Sequence, residues 1–153
     1  MARVILFLLL LITGNIIAQQ NTEHEEVKKT VETFFKGLNQ KDTILINSVV
    51  HKDIVLQGIR PSIPEGNMIK TDVFSNFLKA IVSIPKDKNF EEKIHSYKID
   101  FNDTMAHVWT EYTFWFDGNV THCGVNSFQL IKENMQWKIF YIIDTRRTAD
   151  CEE

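Results

Sequence analysis

The chain has 153 residues, of which 44% are hydrophobic, 11% aromatic and 24% charged. These values are typical of one globular domain that is large enough to bury a core. Its 17 basic and 20 acidic residues give a formal charge of -3, so no broad positive surface is expected for nucleic acid or for anionic membranes. Six Gly and three Pro exclude a collagen-like or low-complexity chain.

Residues 1–18 have the pattern of a secretory signal peptide. Arg3 supplies the positive start, Val4 to Ile12 is an uninterrupted apolar run, and Ala18 is suitably placed before a cleavage site. The apolar run is short for a membrane span, although an uncleaved anchor is the alternative. We therefore expect cleavage after Ala18, a single domain over 19–153, and a secreted or periplasmic protein that is not bound to a membrane once it is cleaved.

The two cysteines, Cys123 and Cys151, allow one disulfide at most. Export would permit it, because disulfides persist in oxidising compartments. Cys123 falls in a predicted strand and Cys151 in the C-terminal tail, so a bridge would tether the tail to the sheet. A buried thiol at 123 and a free thiol at 151 fit the sequence equally well, since sequence does not give the Cα separation that a bridge needs.

Three amphipathic helices are predicted ahead of a long meander of strands, with one further strand between the second and third helices. The first is expected over about 23–39, and the third ends at Pro85. Polar residues with capping ability mark the starts of the three helices. They are Thr22 with Glu25 for the first helix, Asp42 for the second, and Thr71 or Asp72 for the third.

The predicted strands begin with Ile54–Ile59, and a Pro- and Gly-containing loop is expected over Arg60–Asn67. A long meander then follows the third helix. Its strands are Lys93–Phe101, Thr104–Phe116, Val120–Ile131 and Gln136–Arg146. This order of elements predicts an α+β fold in which three N-terminal helices pack on a strongly curved antiparallel sheet.

Two-residue turns at Asn102-Asp103, Asp117-Gly118 and Glu133-Asn134 set the expected register of the meander. In that register one face packs on the helices and the other keeps a large apolar surface. An exposed apolar patch of this size indicates an interface, so we expect a homodimer through this outer face. Its residues are Trp109, Phe128, Trp137, Ile139 and Tyr141.

Several stretches resemble one superfamily. A helix carrying FFKGLNQKD precedes the segment HKDIVLQG, and the chain closes its last strand with WKIFYIIDTRR. Together they resemble the nuclear transport factor 2-like (NTF2-like) superfamily, whose members are also described as SnoaL-like or cystatin-like α+β cones. The stretches HCGVNSFQL and IDTRR resemble exported bacterial members of unknown role. The resemblance implies a curved sheet wrapped around the first helix, with a conical apolar pocket.

Members of this superfamily include ketosteroid isomerases, polyketide cyclases, dehydratases and non-catalytic binding proteins, so the fold alone does not decide the function. The isomerases need a tyrosine on the first helix, a base aspartate in the first strand and a protonated aspartate further on. By resemblance these positions fall on Phe34, on Gln57 or Gly58, and on Ser127. None of these residues supplies the required group, so we expect no ketosteroid isomerase activity.

Asp144 is a candidate general base or ligand anchor, with a salt bridge to Arg146 or Lys138 as the alternative. His51 and Asp53 form a second candidate pair. No spacing suits a metal site, and no cofactor motif is present. The residues expected to line the pocket, or else to fill the core, are Phe34, Phe35, Leu38, Gln57, Tyr97, Thr110, Tyr112, Ser127, Phe140 and Asp144.

The first functional hypothesis is therefore an exported homodimer that binds a small apolar or amphipathic molecule. The alternative is a lyase, isomerase or cyclase that uses a pocket carboxylate or histidine. A third reading is a protein-interaction module whose cone is filled by its own side chains.

Overall fold

A computed structural model describes residues 2–62 and 66–152, with side chains described from residue 21 onward except at Ser62. Three helices precede or interrupt six strands, and the strands form one sheet in the order β2-β1-β6-β5-β4-β3. Only β1 and β6 are parallel among these neighbours. The helices are α1 Ala2–Gln40, α2 Thr43–Val49 and α3 Phe74–Ser83; the strands are β1 Val50–Ser62, β2 Gly66–Asp72, β3 Phe90–Phe101, β4 Met105–Phe116, β5 Asn119–Glu133 and β6 Gln136–Thr145.

The predicted class is confirmed: α+β, with three helices and an open curved sheet. The side chains of the predicted signal segment lie outside the described residues, and its cleavage stays a prediction. No helix in the described part of the chain has an apolar stretch long enough to cross a membrane.

Helix α1 packs its apolar stripe on the sheet. The stripe follows the 3.6-residue period of an amphipathic helix, and its buried members are Val27, Val31, Phe34, Phe35 and Leu38. Because α1 runs from Ala2 to Gln40, Thr22 lies within the helix, and the predicted capping box does not mark its start. Asp42 does cap α2, since its carboxylate accepts the backbone N–H groups of Ile44 and Leu45 at 2.9 Å each.

The start of α3 and the expected loop before it differ from the prediction. Residues 66–72 form β2, an edge strand paired with β1, so Thr71 and Asp72 hydrogen-bond within the sheet rather than cap the helix. Val73 precedes α3 without a side-chain cap. Since β2 is exposed along nearly its whole length, it has no alternation of apolar and polar residues to identify it. Residues 63–65 of the expected loop lie outside the described residues.

A bulge in β5 changes the register expected between β4 and β5. The Asp117-Gly118 turn forms as predicted, with positive φ at both residues. Beyond it, Trp115 pairs with Val120 whereas Phe114 pairs with His122, which leaves one extra residue in β5. A one-residue shift moves every following side chain to the other face, so the even-numbered residues of β5 face the helices.

A second bulge, at Phe140, shifts β6. The preceding turn is also displaced by one residue, to Asn134-Met135, where both residues have positive φ. The displaced turn leaves the facing of β6 unchanged, so only the two bulges alter it. The part of β6 before Phe140 is reversed once, by the bulge of β5, and the part beyond Phe140 is reversed twice. Ile142 and Asp144 therefore face inward as predicted, although the predicted pairings that led there were wrong.

The predicted dimer face is wrong for three of its five residues. Phe128, Trp137 and Ile139 are between 0% and 4% exposed and belong to the core, because the bulge of β5 turns this part of β5 and β6 toward the helices. Trp109 and Tyr141 do occupy strand positions that face away from the helices. The outward surface is consequently less apolar than the sequence suggested.

Replacing Phe128 by Ala should lower the free energy of unfolding by about 3–5 kcal/mol, because the change leaves a cavity among Phe34, Phe35 and the sheet. Urea denaturation would measure it, with Trp109→Ala as a control on the outward face. A smaller loss for Phe128→Ala than for Trp109→Ala would contradict the observed register.

Candidate functional site

A cavity of about 460 Å³ opens between α1, α3, the β1–β2 hairpin and the inner face of the sheet. This size suits a small organic ligand. Phe34 and Phe77 stack with their rings parallel within 2° and 6.3 Å apart, and Phe34 also meets the edge of Phe128. The apolar wall is completed around these rings, and its members are Phe34, Phe35, Leu38, Leu56, Phe77, Phe128 and Ile142.

One end of the cavity is charged. The guanidinium of Arg60 binds the Asp144 carboxylate in a two-pronged ion pair, with both nitrogen–oxygen distances 3.0 Å. The Nε of Arg146 donates to the same carboxylate at 3.1 Å. Such paired, planar contacts are the stronger kind of charge-assisted hydrogen bond. The salt-bridge alternative for Asp144 is therefore present with Arg146, and Arg60 is its second partner.

Gly58 explains how Arg60 reaches Asp144. Gly58 lies opposite Asp144 in the parallel β1–β6 pair, and a Cβ atom there would lie 2.4 Å from Nη2 of Arg60. The missing side chain thus leaves space for the guanidinium to lie across the strand. The sequence does not reveal this role, because Gly58 is not part of a turn motif. In the structure its φ is not positive either, so the position does not need glycine for its backbone conformation.

Glu92 is a second carboxyl group at the cavity, and Asn126 donates to it at 2.7 Å. Its backbone is held by Asn39 of α1, whose side chain accepts from the Glu92 N–H at 2.9 Å and donates to its carbonyl at 3.3 Å. Burial raises the pKa of the Glu92 carboxyl to about 7, the hydrogen bond from Asn126 opposes the rise, and the negative Asp144 adds to it. Glu92 can thus gain or lose a proton near neutral pH.

Tyr112 and His122 border this polar end. The Tyr112 hydroxyl donates to the carbonyl of Thr145 at 3.0 Å, and burial raises its pKa. His122 stacks on Phe114 with ring centres 4.8 Å apart. Burial lowers the pKa of His122 to about 4, and the positive Arg146 adds to the decrease, so the imidazole is neutral near pH 7.

A disulfide between Cys123 and Cys151 holds the C-terminal tail on the outer face of the sheet, with the two Cα atoms 5.5 Å apart. Cys123 and Arg147 also exchange backbone hydrogen bonds of 2.9 and 2.8 Å. The backbone next to Arg146 is therefore fixed from the outside, which helps to keep its side chain at the cavity. Of the two alternatives left open by the sequence, the structure contains the bridge.

Six of the ten predicted pocket residues line this cavity: Phe34, Phe35, Leu38, Gln57, Tyr112 and Asp144. The other four do not. Tyr97 lies beneath the Lys28 ammonium and Thr110 is fully buried, while Ser127 faces outward to His107 and Phe140 is the unpaired bulge residue. Ligand binding by the six cavity residues stays a prediction.

The His51–Asp53 pair lies apart from the cavity, at the start of β1. The His51 ring accepts the backbone N–H of Asp53 at 3.1 Å, and Asp53 is well exposed. Their backbone contact gives a local structural role and brings neither group to the cavity. Within the described residues, no three His, Cys, Asp or Glu side chains converge as a metal site would require.

Glu92, Asn126 and Arg60 were missed from the sequence. Glu92 lies just before the predicted start of its strand, and Arg60 lies in the expected loop. In the register expected without a bulge, Asn126 would face outward, and the bulge of β5 brings it to the inner face. Two of the three omissions thus come from strand boundaries and one from register.

The curved sheet, the helix packed in its concavity and the internal pocket define an NTF2-like protein. The chain belongs to a family described as "Putative lumazine-binding", whose model matches residues 22–141. No curated protein matches the sequence.

Solved structures share the fold at low sequence identity. An NTF2-like protein of unknown function from Shewanella baltica has a TM-score of 0.64 at 14% identity, covering 84% of this chain and 96% of its own. A cystatin-like protein of unknown function from Nostoc punctiforme has a TM-score of 0.63 at 15% identity, with 82% and 92% covered. A "Putative Scytalone Dehydratase" from Novosphingobium aromaticivorans has a TM-score of 0.68 at 13% identity, with 90% and 93% covered.

Glu92 should make stability depend on pH. Its pKa is about 7 in the fold against an ordinary value of 4.5, so the folded state binds more protons between these values and stability falls as pH rises from about 4.5 to 7. The Glu92→Gln variant should lack this decrease, which we expect to be on the order of 2 kcal/mol. Urea unfolding across this range would measure it, with Glu91→Gln as the matched control. Parallel pH profiles for wild type and Glu92→Gln would contradict the assignment.

Proposed function

We propose that this protein binds a small amphipathic molecule in the cavity between α1, α3 and the sheet. The observation that carries the proposal is the cavity of about 460 Å³, apolar along one wall and charged at one end. Apolar surroundings with a few convergent polar groups are the usual form of a small-molecule site. The aromatic wall would hold the body of the ligand, and the group around Asp144 would orient its polar end.

The family description suggests the first compound to test. Lumazine is a planar fused-ring molecule with carbonyl and N–H groups, and the parallel rings of Phe34 and Phe77 offer flat apolar surfaces at the wall. Aromatic rings favour offset stacking with one another. A planar heteroaromatic ligand is therefore the chemical class that we propose for this pocket.

An acid–base enzyme is the second candidate function. The observation in its favour is Glu92, a carboxyl at the cavity whose pKa is about 7, because a group that titrates near the working pH can both take and return a proton. This residue replaces His51 and Asp53 as the candidate, since neither of them lines the cavity. An enzyme would convert its ligand during a titration, whereas a binding protein would return it unchanged.

Export and a homodimer also remain part of the proposal. The signal pattern over 1–18 and the Cys123–Cys151 disulfide support export. Cleavage after Ala18 would bring Thr22 into the first turn of α1, where it can act as a cap. The homodimer would use the outward face of the sheet, with Trp109 and Tyr141 as the two members of the original set that lie there.

Binding should be blocked by filling the mouth of the cavity. Ala80 of α3 lines the mouth and is exposed, so Ala80→Phe should weaken lumazine binding at least about tenfold through steric overlap, a loss of about 1.4 kcal/mol. Lys79→Phe adds the same ring outside the cavity and is the matched control. Quenching of lumazine fluorescence would report both affinities, and equal affinities would contradict binding in this cavity.

Mass spectrometry of the protein recovered from its natural compartment should show a mature chain that starts at Gln19 and has lost two hydrogens to the disulfide. Native spectra at micromolar concentration should show a dimer that Trp109→Glu converts to monomer, because the introduced charge would be buried unpaired at the interface. An intact N-terminus would refute the cleavage proposal, and a monomeric wild type would refute the dimer.

A further inference from the structure

We infer that the polar end of the cavity is an anion subsite, so that the ligand is an aromatic or other apolar-ring molecule that carries one carboxylate-like group. The inference rests on the proposed binding function and deepens it by naming the charge of the ligand. It follows from which charged groups at the cavity are already paired within the protein and which are not.

Two of the acidic groups at the cavity are neutralised by the protein itself. Asp144 receives two hydrogen bonds from Arg60, and Asp72 is paired with Lys70 at 2.9 Å. These pairs contribute no net charge to the cavity. Among the described residues that line the cavity, the charged groups that remain are the guanidinium of Arg146 and the carboxyl of Glu92.

Arg146 has donors left for a ligand. Its Nε is used by Asp144 at 3.1 Å, while within the described residues its two terminal nitrogens donate to no protein acceptor. Its side chain is half exposed and lines the cavity. A guanidinium edge with two free amino groups matches the two oxygens of a carboxylate.

Glu92 can complement an anion when it is protonated. Within the described part of the chain, the hydrogen bond from Asn126 is the one its carboxyl makes, so a protonated oxygen could donate to a bound carboxylate. An ionised Glu92 would instead repel the ligand. Anion binding should therefore favour the protonated form, and affinity should fall as pH rises through the pKa of Glu92.

The tyrosine and the histidine near Glu92 both titrate outside the range from pH 6 to 8.5. Burial raises the pKa of Tyr112 and lowers that of His122 to about 4. Among the described side chains, α1 and α3 contribute no titratable group to the cavity wall. The charged and titratable groups that face this end are Arg60 of β1, Asp72 of β2, Tyr112 of β4, His122 of β5, and Asp144 with Arg146 at the end of β6.

A pair of matched probes tests the inference on the full mature chain. 2-Naphthoate and 2-naphthamide share one ring system and differ in charge, and calorimetry at pH 6 would give both affinities. We expect naphthoate to bind about tenfold to a hundredfold more tightly, as a charge-assisted hydrogen-bond pair predicts. Arg146→Gln should reduce this preference to within about threefold, whereas Arg147→Gln, one residue further along and directed to the carbonyl of Asp150, should retain it.

The pH profile tests the part played by Glu92. Naphthoate affinity of the wild type should decrease as pH is raised from 6 to 8.5, by up to about tenfold per unit above the pKa, and Glu92→Gln should bind naphthoate with a flat profile. A flat wild-type profile would overturn the role of Glu92. Thermal unfolding of each variant verifies its fold, and Arg146→Lys, which keeps the charge, should recover part of the preference if Arg146→Gln proves unstable.

The failures of the two proposals can be told apart. If both probes bind equally well, or if Arg146→Gln keeps the preference for naphthoate, the anion subsite is overturned and small-molecule binding stands. If neither probe nor lumazine binds at millimolar concentration, the binding function itself is overturned.

Discussion

The rest of the structure depends on which side chains of the two central strands, β5 and β6, point toward the helices. One extra residue in β5 and one at Phe140 of β6 decide which side chains enter the concave face. Because side chains alternate along a strand, each bulge exchanges the whole following set. Phe128 therefore lies in the core beside α1, and Asn126 lies at the cavity, where it donates a hydrogen bond to Glu92.

The cavity combines this apolar interior with a polar end whose charged groups come from several strands of the sheet and from Arg146 just after β6. Gly58 leaves space for Arg60 to cross its strand, so that a partly buried carboxylate at position 144 is matched by two guanidinium groups. Burying a carboxylate without such partners would be costly. The disulfide then fixes the tail on the outer face and holds the backbone beside Arg146.

Much of the fold could be predicted from local patterns. The apolar period of α1, the capping of α2 by Asp42 and the Asp117-Gly118 hairpin all follow from short-range physical rules, and the structure agrees with each of them. The exposed edge strand β2 had no such pattern. The inward position of Asp144 was predicted correctly, but through register shifts on β5 and β6 that offset one another.

By itself, the sequence determined the α+β class, the order of helices and meander, the α1 part of the cavity wall (Phe34, Phe35 and Leu38) and the candidate cysteine pair. These depend on periodicity, turn chemistry and composition, which are properties of neighbouring residues. Only the tertiary structure decided the strand register, the pairing of β1 with β6, and the meeting of Arg60, Glu92, Asn126 and Arg146 at one end of the cavity. These groups come from distant parts of the chain, and a single bulged residue is enough to bring them together or to separate them.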